Sequence, residues 1–240
     1  MDETRSDRPR ASTPFVSARI EPDRHPAVYP RRMITLYYTP GACSLAAHIL
    51  LEETGLDFEL AKVSLSSGEQ HNPAFLSLNP HGRVPVLVTG EDAITESTAI
   101  LTWIATKSGR TDLLGSDALS RARVYERLSF FSGSVHVAYA QTLRPGRFSG
   151  DAAAHDLIVR GGREVFSRQI AEIEAMISGR EWMVGESFTA ADLYPLIFRP
   201  WAARLGIDLA LYPEWKRHAE RMVELPSVSR AMATEAQMSR

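Results

Sequence analysis

The chain is poor in cysteine: Cys43 is the only one in 240 residues. One thiol excludes an internal disulfide framework, a cysteine-rich zinc site and a Cys-x-x-Cys dithiol mechanism. It suits a reducing compartment, and a cytoplasmic location is expected. The sequence also lacks any run of about 18 apolar residues, so no membrane span is expected. Charge of one sign is not in excess. With 27 basic and 29 acidic residues the formal net charge is -2, which leaves no footprint for nucleic acid. The seven histidines show no H-E-x-x-H-type spacing, so no metal is expected. The 44% of apolar residues suffices for one large or two small folded domains.

The first 32 residues carry seven arginines, five acidic residues and five prolines, without apolar periodicity. Such a segment cannot bury enough surface to offset the cost of ordering it, so residues 1–32 are expected to be a disordered extension. They hold neither the apolar stretch of a secretory signal nor the acid-poor composition of a transit peptide. Met33 would make a natural start for the folded part.

From there the local signals are dense. Leu36 to Tyr38 suit a buried strand, and Pro40-Gly41 is turn punctuation. Ser44 stands where a helix N-cap would, before Leu45, Ile49 and Leu50 at helical spacing. Cys43 therefore lies at a helix start, where backbone N–H groups and the helix dipole favour an anion. A lone cysteine is more often a small buried residue than a reactive one, and spacing alone does not decide. Gly55 stops the helix, and Phe58 to Val63 alternate as a second strand. Pro73 opens a short helix. Val84 to Val88 and Ala93 to Thr95 form a hairpin around Gly90-Glu91-Asp92. Ser97 opens a helix ending near Gly109. Residues 33–109 thus read β-α-β-α-β-β-α, a thioredoxin-like arrangement. After the linker 107–116, residues 117–238 hold no convincing strand. They read as an all-helical domain with long helices over Ala118–Gln141 and Asp151–Ser178 and a capping box at Thr189-Ala-Ala-Asp192. The fold class is α+β.

Four segments, in order, carry a resemblance. Tyr37-Tyr38-Thr39-Pro40-Gly41-Ala42-Cys43-Ser44 is similar to the first strand and active-site turn of the glutathione S-transferase family. Asn79-Pro80-His81-Gly82-Arg83-Val84-Pro85 resembles its N-P-x-G-x-V-P segment, whose final proline is cis. Thr95-Glu96-Ser97 with Ala99-Ile100 resembles its T-E-S/G-x-A-I segment, and Phe188-Thr189-Ala190-Ala191-Asp192 its helix-capping motif. The chain resembles the bacterial beta class most, over roughly residues 33–238.

The resemblance implies a homodimeric enzyme with glutathione as co-substrate. It implies conjugation of glutathione to small, largely apolar electrophiles, in detoxification. It implies that Val84, before cis Pro85, pairs with the cysteinyl backbone of glutathione. It places Glu96 on the γ-glutamyl ammonium and Ser97 on the γ-glutamyl carboxylate. Cys43 and His136 fall at the positions beside the glutathione sulfur, and Ser44 either donates to that sulfur or caps the helix. His136 has a second reading as a half-buried interface histidine. Phe130, Val137, Tyr139 and Trp201 are expected around the electrophile. Where the beta class has Trp-Leu-Asn-Phe, this chain has Arg127-Leu128-Ser129-Phe130. Other glutathione-dependent reactions (thiol transfer, peroxide reduction, dehalogenation, isomerisation) stay open, as does a non-catalytic protein of the same fold.

Overall fold

The structure is a computed structural model that describes residues 34–238. The extension expected over residues 1–32 lies outside them.

Four strands and three helices make the first part. They are β1 (Ile34–Tyr38), α1 (Leu45–Thr54), β2 (Phe58–Lys62), α2 (Pro73–Leu78), β3 (Val86–Thr89), β4 (Asp92–Ile94) and α3 (Ser97–Lys107). The sheet order is β2-β1-β3-β4. β1 runs parallel to β2, through the α1 crossover, and antiparallel to β3. β3 and β4 pair antiparallel across the tight turn. This is the thioredoxin-like arrangement. Gly55, at φ 66, ends α1 by donating its N–H to Leu51 O, a left-handed cap that glycine takes without strain.

The second part is helical. It comprises α4 (Ala118–Phe130), α5 (His136–Leu143), α6 (His155–Ile177), α7 (Leu193–Arg204), α8 (Pro213–Glu224) and α9 (Pro226–Met238). Asp117 and Ser120 form a capping box at the head of α4. A single helix had been expected over 118–141. Instead a π-helical turn, Phe131–Val135, separates α4 from α5. Its extra residue leaves Gly133 beside open space and re-aims the side chains that follow, beginning with His136. The helix expected from Asp151 also starts later. Asp151 caps a short 3-10 turn over Ala152–Ala154, and α6 follows.

One apolar core spans both parts. It runs from Leu36, Ile49 and Leu50 through Leu101 and Ile104 to Phe131, Phe166, Phe198 and Trp215. In α1 every residue from Leu45 to Leu51 is buried, so this helix is covered on all sides rather than on one stripe. α9 packs along it. Ser227 Oγ donates to Glu53 at 2.7 Å and Arg230 Nε to Glu52 at 2.6 Å. A second, smaller cluster of Val63, Phe75, Val84 and Val86 supports the segment before β3.

Candidate active site

The chain leaves β1 at Tyr38 and must reverse before α1. Gly41, at φ 69, makes that reversal, a conformation that side chains with a Cβ rarely adopt. The Ser44 hydroxyl donates to Thr39 O at 3.1 Å and accepts from Thr39 N–H at 3.2 Å. Thr39 Oγ1 in turn donates to Val63 O at 2.6 Å. Ser44 is fully buried, and its hydroxyl hydrogen is satisfied inside the turn. It stands at the N-cap position of α1, as expected, but its side chain makes no capping bond to the first turn. A buried hydroxyl takes the acceptor it can reach, and here that is Thr39.

Two helices from the second part grip this turn at one residue. Gly41 N–H donates to Glu235 Oε2 of α9 at 2.9 Å. Gly41 O accepts from Trp201 Nε1 of α7 at 3.0 Å. Glu235 is buried, and its other oxygen lies 3.1 Å from Nδ1 of the fully buried His48. Neither Trp201 nor Glu235 was marked as a turn contact by sequence; 160 and 194 residues separate them from Gly41, beyond any local signal.

Cys43 sits at the head of α1 with 6% of its surface exposed. Its Sγ donates to Val84 O at 3.5 Å. Burial pushes the thiol up to about 11. The N–H groups of Cys43 and Ser44 and the Ser97 hydroxyl pull the other way, and the Glu96 charge adds to the rise. The thiol is therefore protonated at neutral pH.

The Val84–Pro85 peptide is cis. Its approach is fixed by Asn79, whose Nδ2 donates to Arg83 O at 2.7 Å and whose Oδ1 accepts from His81 N–H at 3.0 Å. Gly82 is required there: a Cβ would meet Gln70 O at 3.0 Å. Across from this segment, Ser97 begins α3 and is buried. Glu96 precedes it at φ 65 and ψ 119 and is the one positive-φ non-glycine among the described residues. Such strain concentrates where function over-determines a conformation. Cys43, Val84, Glu96 and Ser97, assigned from three separate segments, thus converge.

His136 heads α5, directly after the π-helical turn. Its ring centroid lies 5.1 Å from that of Trp201, so its link to the Cys43 turn runs through the indole that holds Gly41. Burial, then the charges of Arg147, Arg144 and Arg83, pull its pKa down to about 4. The imidazole is neutral near pH 7. Tyr139 stacks on the other ring of this group, 4.4 Å from Trp201 at 12°. Tyr139 and Trp201 are buried by that stacking, whereas Val137 is exposed.

Two cavities adjoin these elements. An apolar recess of about 520 Å³ is lined by Gly41, Leu45, Leu196, Ile197, Pro200 and Val223 among others. A second, of about 420 Å³, is lined by Gln70, His71, His81, Arg83, Arg144 and Arg147 among others. Among the described residues no cluster of His, Cys, Asp or Glu is placed to hold a metal, and no helix is long and apolar enough to cross a membrane.

The glutathione S-transferase N-terminal domain family matches residues 33–106, and the glutathione S-transferase C-terminal domain family residues 162–226. A glutathione S-transferase of Xanthomonas campestris is 32% identical over 201 residues, covering 83% of this chain and 98% of that protein. The chain belongs to the glutathione S-transferase family. Solved members share its fold. A glutathione transferase homologue from Sulfitobacter, with bound glutathione, matches with a TM-score of 0.80 at 28% identity, over 84% of this chain and 98% of its own. A bacterial beta class glutathione S-transferase of Sphingomonas chungbukensis matches with a TM-score of 0.72 at 33% identity, again over 84% and 98%. The glutathione S-transferase architecture therefore accounts for nearly all the described residues, and the four converging positions lie inside its first domain.

Proposed function

We propose that this protein is a cytoplasmic, homodimeric glutathione S-transferase that conjugates glutathione to small, largely apolar electrophiles. The observation that carries the reading is the convergence of the Cys43 thiol, the Val84 carbonyl and the Glu96-Ser97 head of α3 on one site. An extended anionic tripeptide fits it. The cysteinyl backbone pairs with Val84 beside Pro85, as a strand edge takes a peptide. The γ-glutamyl ammonium is accepted by Glu96. The γ-glutamyl carboxylate meets the Ser97 hydroxyl and N–H at the positive end of α3.

Conjugation needs the glutathione thiolate, because the thiolate is the nucleophile. Its electron pair forms the new C–S bond, the leaving group departs with the pair it shared, and the thiol proton passes to solvent. Cys43 assists as a donor rather than as a nucleophile. Held protonated by burial, it turns its S–H from Val84 O toward the glutathione sulfur and lowers that sulfur's pKa. Ser44 contributes by locking the Thr39–Ser44 turn. His136, neutral at working pH, positions Trp201 and with it Gly41.

Retention on glutathione-agarose at moderate salt, followed by turnover of 1-chloro-2,4-dinitrobenzene, tests the reading. Retention with conjugation faster than reduction of a glutathione mixed disulfide is expected. Absence of retention, or disulfide reduction as the dominant activity, would overturn it. Light scattering should give a mass about twice the 26.6 kDa of one chain.

A further inference from the structure

Three cations stand together beside this site, with no counter-charge lining their cavity among the described residues. Arg83 comes from the segment before β3. Arg144 and Arg147 come from the turn after α5, and all three line the 420 Å³ cavity with His71 and His81. Among the described residues no aspartate or glutamate lines it. The charges that act on Arg147 are those of Arg83 and Arg144, and all three act on His136. The chain as a whole carries a net charge of -2, so positive charge is concentrated here against the general balance. Uncompensated like charges in one concavity are unfavourable unless an anion joins them, and a concave site focuses their field.

Glutathione alone does not balance them. In the pose proposed above, with the γ-glutamyl end on Glu96 and Ser97 and the cysteinyl backbone on Val84, the glycyl end is the part left to face Arg83, the residue before Val84. That end brings one carboxylate to three guanidinium groups. The two left over belong to the helical part of the chain, as does His136, whose ring partner Trp201 holds the Cys43 turn. We propose that Arg144 and Arg147 select an anionic co-substrate, an electrophile carrying a carboxylate or sulfonate, and hold that group in the arginine cavity while its reactive carbon meets the glutathione sulfur. Guanidinium forks match such planar or tetrahedral oxyanions two bonds at a time. This inference rests on the glutathione-conjugating reading above and narrows its substrate class.

The test compares a matched pair of aryl chlorides at saturating glutathione, neutral 1-chloro-2,4-dinitrobenzene and anionic 4-chloro-3,5-dinitrobenzoate, each corrected for its uncatalysed rate. The intact protein should favour the carboxylate in kcat/KM. In an Arg144→Ala, Arg147→Ala double variant that preference should fall about tenfold, in keeping with two exposed charge contacts, and should flatten with added salt. Binding of unreactive 3,5-dinitrobenzoate, against neutral 1,3-dinitrobenzene, is followed by tryptophan fluorescence in the presence of S-methylglutathione and should weaken by a similar factor. A preference unchanged by the double substitution, or equal loss for both substrates, overturns the proposal and leaves the arginines to glutathione. Arginine-dependent binding of the dinitrobenzoate without turnover of either chloride supports the anion site and sinks the conjugating reading instead.

Discussion

Glu96 is held at φ 65 and ψ 119, outside the regions a residue with a Cβ prefers. Its carboxylate is proposed to meet the γ-glutamyl ammonium, so backbone and side chain pull in different directions on substitution. Glu96→Gly should relieve strain of about 1 kcal/mol and raise Tm, while raising the KM for glutathione at least about tenfold. Glu96→Gln should raise KM with no gain in Tm. Thermal melts beside glutathione kinetics separate the two, and equal Tm for both variants would refute the strain. Cys43 is the second residue where environment decides chemistry. Its folded-state pKa of about 11 lies above the unperturbed value of 9.0. The proton is held in both states below pH 9, and the thiol's contribution to stability is lost as pH rises toward about 11. Alkylation by iodoacetamide at pH 7.5 should be about a hundredfold slower than for an unperturbed thiol, with the rate climbing until about pH 11. A rate already half-maximal near pH 9 would show a free thiol. The place of Cys43 at the head of α1 was legible in the sequence. Its protonation state was not, because burial by the surrounding turn is a tertiary property.

Among elements, those marked by local chemistry were the readable ones. Pro73 at the first position of α2, Gly55 after α1 and the Gly90 turn between β3 and β4 each fix a boundary through one residue's backbone preference. The π-helical turn left no such mark. Buried Val124, Leu128, Phe131, Val135 and Ala138 recur at ordinary helical spacing, so periodicity passed smoothly over the insertion. Asp192 was read as a cap for α7 and does bind Thr189 N–H at 2.9 Å. It also accepts from Met183 N–H at 2.7 Å, in the loop after α6, and faces the buried His218 of α8 at 2.9 Å, ties that sequence does not reveal. α9 carries the largest surprise, for Glu235 reaches from near the chain's end to the turn that holds Cys43. Glu235→Ala leaves Gly41 N–H and His48 without their acceptor and should cost about 2–4 kcal/mol. The same change should raise the KM for glutathione, because the turn loses one of its two holds. Glu235→Gln, which keeps an acceptor oxygen, should recover part of the stability. Denaturant midpoints and kinetics of both variants check this; an alanine variant as stable as the parent would show that the carboxylate is dispensable.

For the molecule as a whole, the question is whether the sheet part and the helical part are separable. Sequence divided them at the linker 107–116, where composition shifts and strands cease. That division describes the chain's path, but the core does not respect it. Leu45, His48 and Glu52 recur at spacings of three and four and so share one face of α1. His48 meets Glu235, and Glu52 meets Arg230, both on α9. The other faces of α1 are buried in the same core as Leu36 and Ile104. Removing the helical part would therefore uncover a helix buried from Leu45 to Leu51. Each large apolar side chain returned to water costs about 1.5–3 kcal/mol, and a domain's entire stability is only about 5–15 kcal/mol. A fragment ending at Lys107 should be unfolded by circular dichroism and fail to bind glutathione. The intact chain should melt in one calorimetric transition, with calorimetric and van't Hoff enthalpies in agreement for the monomeric step. Glu235→Ala should shift that single transition down without splitting it. Two resolved transitions, or a folded fragment, would mean that the thioredoxin-like part stands alone and that α9 only rests on it.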